Sequence, residues 1–176
     1  AHYQAIADAC PVPVIMYNIP GRTGINMSPE TVLTLAEHQN IIGIKEASCI
    51  IEQCMEIAFH KPEDFLLISG DDVQAVPIIS IGGVGVMSVI ANAFPNQFTQ
   101  MIHSALSGDF KTAQKALAAF LTIDPFLYEE GNPVGVKKIL ALHGLMSGQV
   151  RMPLAEGSTG LEKKLEEIIK QVKLSN

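Results

Sequence analysis

Short apolar runs recur along the chain, each followed by a turn and then by residues at helical spacing. Val14-Ile15-Met16-Tyr17, Ile41 to Lys45, Phe65-Leu66-Leu67-Ile68-Ser69 and Val84 to Ile90 are continuously apolar, as strands buried on both faces are. The intervening segments read as helices. Ala1 to Ala9 is alanine-rich and stops at Cys10-Pro11-Val12-Pro13. Ser28 is placed to cap a helix with Pro29 in its first turn and Val32, Leu33, Leu35 and Ala36 facing inward. A second runs from about Ile50 to His60 with Ile50, Cys54, Ile57 and Ala58 on one side, and a short third spans Val73 to Ile81. Asn18 to Asn26 reads as a turn-rich loop. Strands and helices that alternate in this way predict a parallel sheet covered by helices.

Beyond Asn96 the spacing is helical throughout: Asn96 to Leu106, Phe110 to about Leu127, Val134 to His143 and Leu161 to Leu174. The last of these gathers Leu161, Leu165, Ile168, Ile169 and Val172 on one stripe against Glu162, Lys163, Glu166, Glu167 and Lys170, the pattern of an amphipathic helix laid on a globular body.

Composition narrows the classes. The 176 residues are 48% hydrophobic and 17% charged, enough apolar material for a substantial core. That length falls short of the roughly 250 residues of a closed β/α barrel. Twelve basic residues against eighteen acidic ones, a net charge of -6 and no tryptophan argue against a nucleic-acid partner. With no run of membrane-spanning length and no basic leader in Ala1-His2-Tyr3-Gln4, the expectation is a soluble, cytoplasmic protein with no membrane partner. Cys10, Cys49 and Cys54 show no C-x-x-C spacing and read as reduced, packing thiols. The five histidines are scattered, so no metal site is expected.

In parallel β/α folds the chemistry collects at the carboxyl ends of the strands. Those ends carry Tyr17 with Asn18 to Thr23, Lys45-Glu46-Ala47-Ser48, Ser69-Gly70-Asp71-Asp72, and Met87-Ser88-Val89. An ammonium at the rim of a dry interior can lose its proton and become a nucleophile toward carbonyls, although a lysine in water has a pKa of roughly 10.4. A phenol beside it suits a proton relay, and a loop arginine suits a carboxylate. The same residues admit a structural reading, with Lys45 marking the end of a strand, Tyr17 a core aromatic with its hydroxyl on the rim, and Arg22 a surface residue. Gly82-Gly83-Val84-Gly85 precedes its strand and lies at the opposite end from these groups, so it reads as a helix-to-strand turn and not as a phosphate loop.

Two longer motifs, Tyr17-Asn18-Ile19-Pro20-Gly21-Arg22-Thr23-Gly24 and Gly43-Ile44-Lys45-Glu46-Ala47, resemble the signatures of the dihydrodipicolinate synthase and N-acetylneuraminate lyase superfamily. Ser69-Gly70-Asp71-Asp72, Gly82 to Val89 and Asn132-Pro133-Val134 extend the resemblance over nearly the whole chain. It implies a class I aldolase-type α/β fold, the C-terminal half of a (β/α)8 TIM barrel followed by C-terminal helices. Residues 1–106 would then be the second half of the barrel and 107–176 the helical region, with the N-terminal half, including a threonine and a second tyrosine of the relay, outside this chain. A half-barrel leaves two sheet edges open, so a longer protein or another chain is expected to supply the rest.

By the same resemblance Lys45 forms a Schiff base with pyruvate, Tyr17 is the proton donor and acceptor, and the Met87 carbonyl contacts the bound pyruvate. Gly70 and Asp71 join the substrate-binding set. Arg22 points to the synthase branch, where it binds the carboxylate of aspartate-4-semialdehyde in lysine (diaminopimelate) biosynthesis. No metal or organic cofactor is implied, and a homotetramer, a dimer of dimers, is. A 2-keto-3-deoxy sugar-acid or N-acetylneuraminate aldolase of the same superfamily is the alternative within this chemistry. A non-catalytic half-barrel is the alternative outside it.

Overall fold

The alternation of strand and helix is realised in the computed structural model, which describes residues 1–171. Val172 and Leu174, assigned above to the last helix, lie outside the described residues. The chain divides into two compact units, the first Ala1–Met87 and the second beginning at Ser88.

In the first unit α1 (His2–Ala9) leads to β1 (Val14–Asn18), α2 (Pro20–Thr23), α3 (Pro29–Ala36), β2 (Ile41–Glu46), α4 (Ile51–His60), β3 (Leu66–Ser69), α5 (Ala75–Ser80) and β4 (Gly85–Val86). All pairings are parallel and the spatial order is β1-β2-β3-β4. An order that never reverses, with a helix in each crossover, winds in one direction as a β/α barrel does and has no switch point of a doubly wound sheet.

One side of the sheet is dry. Met16, Ile44 and Leu67 are in register and fully buried, packed with Val32 and Leu35 of α3, Cys54 and Ile57 of α4 and Ile78 of α5. The other side carries the register row Tyr17, Lys45, Ile68 and Gly85, and it is half open, with Tyr17 41% exposed. Strands buried on both faces were expected from the continuous apolar runs. The apolar residues are there, but helices cover only one side of them in this unit.

Three local differences from the sequence pattern have clear causes. The loop after β1 contains a helical turn, because Pro20 presets φ at its start, Thr23 Oγ1 donates to the Ile19 carbonyl at 3.1 Å, and Gly24 closes it at φ 74°. Ile50 is 43% exposed, and Gln53 takes its place on the inner side of α4 because its amide has a buried partner. β4 is only Gly85–Val86, where a strand to Ile90 was expected. Ser88 Oγ accepts from Ala91 N–H at 2.8 Å and turns the chain into a 3-10 segment, Ile90–Asn92.

The second unit holds that segment with α6 (Pro95–Leu106), α7 (Phe110–Tyr128), α8 (Val134–Leu142) and α9 (Thr159–Gln171). Asp109 caps α7 by accepting from Thr112 N–H. Phe98 of α6 meets Phe120 of α7 edge to face at 5.3 Å. Gly135 lets α8 press against α7, since a Cβ there would stand 2.5 Å from the Leu127 carbonyl oxygen. Leu161, Leu165 and Ile168 of α9 are buried, as the stripe predicts, and Lys138 pairs with Glu162 at 2.8 Å. No described helix is long and apolar enough to cross a membrane.

Candidate active site

The site is built from strand tips held level by the backbone. Beyond the regular ladder, Ala47 N–H donates to the Asn18 carbonyl at 2.9 Å, Gly70 N–H to Glu46 at 2.7 Å, and Met87 N–H to Ser69 at 2.9 Å. Each strand therefore fixes where its neighbour's first loop residue begins. Tyr17 and Lys45 are direct Cα partners in this ladder and project from the same, half-open face. Lys45 Nζ lies 4.0 Å from the centroid of the Tyr17 ring. A cation so placed gains about 0.5–1 kcal/mol at an exposed site, and the contact holds the amine next to the phenol.

Gly70 leaves room for that lysine. A Cβ there would stand 3.2 Å from Lys45 Cε and 2.7 Å from the Ala47 Cβ, so any larger residue would push against the side chain that carries the amine. Met87 sits at the end of β4, exposed, with its N–H tied to β3. Arg22 lies on the exposed turn α2, and its guanidinium has no hydrogen-bond or ionic partner among the described residues. Asp71 serves α5 in part: its Oδ1 accepts from Val73 N–H at 3.1 Å and Gln74 N–H at 2.9 Å, while Oδ2 lies 3.7 Å from Cys49 Sγ. Tyr17 and Lys45 are thus brought into contact, with Gly70 against Lys45, whereas Arg22 and Asp71 stand on neighbouring loops.

Sequence reasoning named Asn18 and Glu46 only as motif members and missed what they build. Both are 1% exposed, in register on the dry face, one residue beyond Tyr17 and Lys45. With Gln53 and Asn26 they form a closed polar ring. The available signal was the alternation itself: two polar residues at equivalent positions beyond in-register partners must meet, and on a buried face they must pair.

The residues named from the sequence gather at this end of the sheet. A recess lined by Glu37, His38, Ile41 and Phe65 lies at the starts of β2 and β3, the opposite end from Lys45. Among the described residues no group of three His, Cys, Asp or Glu side chains gathers to hold a metal ion.

The profile of the dihydrodipicolinate synthetase family matches residues 1–172. The chain belongs to that family. A 4-hydroxy-tetrahydrodipicolinate synthase from Cytophaga hutchinsonii is 52% identical over 166 residues, which cover 94% of this chain and 56% of that relative. A chloride-inhibited dihydrodipicolinate synthase from Acinetobacter baumannii, solved with pyruvate, superposes with a TM-score of 0.93 at 32% identity, over 98% of this chain and 60% of that one. A monomeric dihydrodipicolinate synthase variant gives the same TM-score at 30% identity, over 98% and 59%. The chain therefore spans less than two thirds of the length of these family members. Its parallel sheet and helices correspond to part of their TIM barrel, which is the α/β half-barrel with trailing helices that the sequence predicts.

Proposed function

We propose that this chain is the lysine-bearing part of a 4-hydroxy-tetrahydrodipicolinate synthase, condensing pyruvate with aspartate-4-semialdehyde in lysine biosynthesis. The observation that carries the reading is the placement of Lys45 Nζ against the Tyr17 ring on the open face of the sheet. Membership of a family whose relatives bear that name supports it.

In this mechanism the deprotonated Lys45 amine attacks the ketone carbon of pyruvate. Tyr17 passes the proton that converts the carbinolamine hydroxyl into leaving water. The protonated imine that results is an electron sink, so a methyl proton departs and an enamine forms without a metal or organic cofactor. The enamine carbon attacks the aldehyde and the imine is restored. The amino group of the former aldehyde then displaces Lys45 from the imine carbon, closing the ring and freeing the enzyme. Arg22, whose guanidinium has no partner among the described residues, receives the carboxylate of the semialdehyde, bidentate in the manner that suits arginine. Gly70, Asp71 and Met87 complete the substrate-binding rim.

Residues 1–106 act in this reading as the second half of the barrel and 107–176 as a helical region. The remaining strands, from the rest of a longer protein or from another chain, cover the open face and keep Lys45 dry. Assembly as a homotetramer, a dimer of dimers, in the cytoplasm belongs to the same proposal, and sedimentation of the full-length protein separates it from the monomeric state known for one family member. The mechanism is tested by borohydride reduction of the full-length protein in the presence of pyruvate, followed by peptide mass mapping. A reduced adduct on Lys45 is the expected result; pyruvate turnover without an adduct there overturns the mechanism.

A further inference from the structure

Glu46 is a carboxylate buried to 1% exposure, and it has no ionic partner among the described residues. Such a group is costly to bury unless hydrogen bonds replace its lost water. Here they do. Oε1 accepts from Asn18 Nδ2 at 3.1 Å and from the Ser48 N–H at 2.6 Å; Oε2 accepts from the same Asn18 amide at 3.0 Å and from Gln53 Nε2 at 3.0 Å. Both oxygens act as acceptors, so each is satisfied by donors from the surrounding chain. A leucine of similar size would fill the space but leave the Asn18 and Gln53 amides and the Ser48 N–H without this acceptor, so the residue answers to hydrogen bonding and not to packing alone.

What the carboxylate organises is the loop that carries Arg22. Asn18 Nδ2 also donates to Asn26 Oδ1 at 2.8 Å, and Asn18 Oδ1 accepts from the Met27 N–H at 3.1 Å. Asn26 Nδ2 in turn donates to Gln53 Oε1 at 2.9 Å, closing a ring of four side chains of which Glu46 is one. The loop 19–25, with α2 and Arg22 on it, leaves β1 at Asn18 and comes back beside that residue at Asn26, ahead of α3. Both of its feet stand in the ring. The same ring holds the two residues that immediately follow Tyr17 and Lys45. Among the described residues nothing pairs with the Arg22 guanidinium, so the placement of its loop is set through this ring.

We infer that Glu46 is a positioning residue that clamps the Arg22 loop at both ends and thereby sets the arginine against Lys45 for the second substrate. The inference rests on the reading of Arg22 as the carboxylate-binding group, and Glu46 touches no reactant. The test uses Glu46→Gln in the full-length protein. Glutamine keeps the shape but replaces one acceptor oxygen with an NH2 donor that faces the N–H donors around it, leaving buried donors unpaired. Hydrogen exchange across 19–27 is expected to rise about tenfold while 14–17 and 41–45 keep their protection. KM for aspartate-4-semialdehyde is expected to rise about tenfold or more, since small misplacements of a substrate-holding group cost that much. KM for pyruvate and borohydride trapping on Lys45 should stay within about twofold of the parent.

Unchanged exchange in the loop overturns the clamp, as does a loop that loosens without any change in the KM for the semialdehyde. A uniform loss of protection, with both substrates affected alike, reduces Glu46 to a structural group. Asn26→Ala, at an exposed position, cuts one foot of the loop while leaving Glu46 in place, and it must give the same selective pattern. If the parent protein fails to trap pyruvate, the proposed function falls on that result, while the exchange data still decide whether Glu46 holds the loop.

Discussion

The two faces of the four-stranded sheet are made by the same strands one residue out of step, and they do opposite work. On one, Met16, Ile44 and Leu67 are sealed beneath helices, and the next row, Asn18, Glu46 and Ser69, is polar but equally buried. On the other, Tyr17 and Lys45 meet in a half-open layer. The groups proposed to react sit on the open side. The polar groups that hold the strand tips in place sit where water cannot compete for their hydrogen bonds.

The comparison is broken most severely by emptying the dry side. Ile44→Ala is expected to lower stability by about 2–5 kcal/mol, because its neighbours from α3, α4 and α5 cannot collapse into the space. The matching change on the open side, Ile68→Ala, should cost no more than about 1 kcal/mol as long as that face stays uncovered. Urea unfolding of the two variants measures the difference, and equal losses would mean that both faces are sealed.

A smaller effect sharpens the role of the open rim. Arg22→Ala should weaken use of the semialdehyde about tenfold or more, roughly 1.4 kcal/mol or greater, with pyruvate trapping on Lys45 largely intact. Steady-state kinetics alongside borohydride trapping reads both, and an equal loss of the two would make the arginine structural.

A further effect, confined to high pH, concerns Cys54, buried in the dry core near Glu46. Burial, followed by the nearby Glu46 charge, pushes its thiol up from 9.0 to about 12. A group raised in the folded state contributes stability that is complete below its unfolded value and is lost as pH climbs through its folded one. Stability attributable to Cys54 should therefore be flat below about pH 9 and decline between there and about 12. Urea midpoints for the parent and Cys54→Ala across that range test it, the variant lacking this part of the decline. In the native state the exposed Cys49 should react with iodoacetamide near pH 8 while Cys54 does not.

Much of this was legible in the residues. The parallel β/α alternation followed from continuous apolar runs at regular spacing, and the Ser28-Pro29 start of α3 was read from its cap alone. Tyr17 and Lys45 could be placed at neighbouring strand ends because each closes such a run. Other features depended on hydrogen bonds that the hydrophobic pattern does not report. Gln53 displaced Ile50 from the inner side of α4 only because Glu46, seven residues earlier, needed a donor. β4 stopped at Val86 because Ser88 found Ala91, a local bond that apolarity does not report.

Hydrophobic period and turn chemistry are local properties, so the chain's own pattern sets the alternation of strand and helix, the amine and phenol at strand ends, the arginine in the loop after the first strand, and the helices that follow. Only the tertiary structure decided which face of each strand is dry and how the ring that includes Glu46 closes. Burial and hydrogen-bond satisfaction depend on which distant segments arrive at the same place, and no single stretch of chain contains that information.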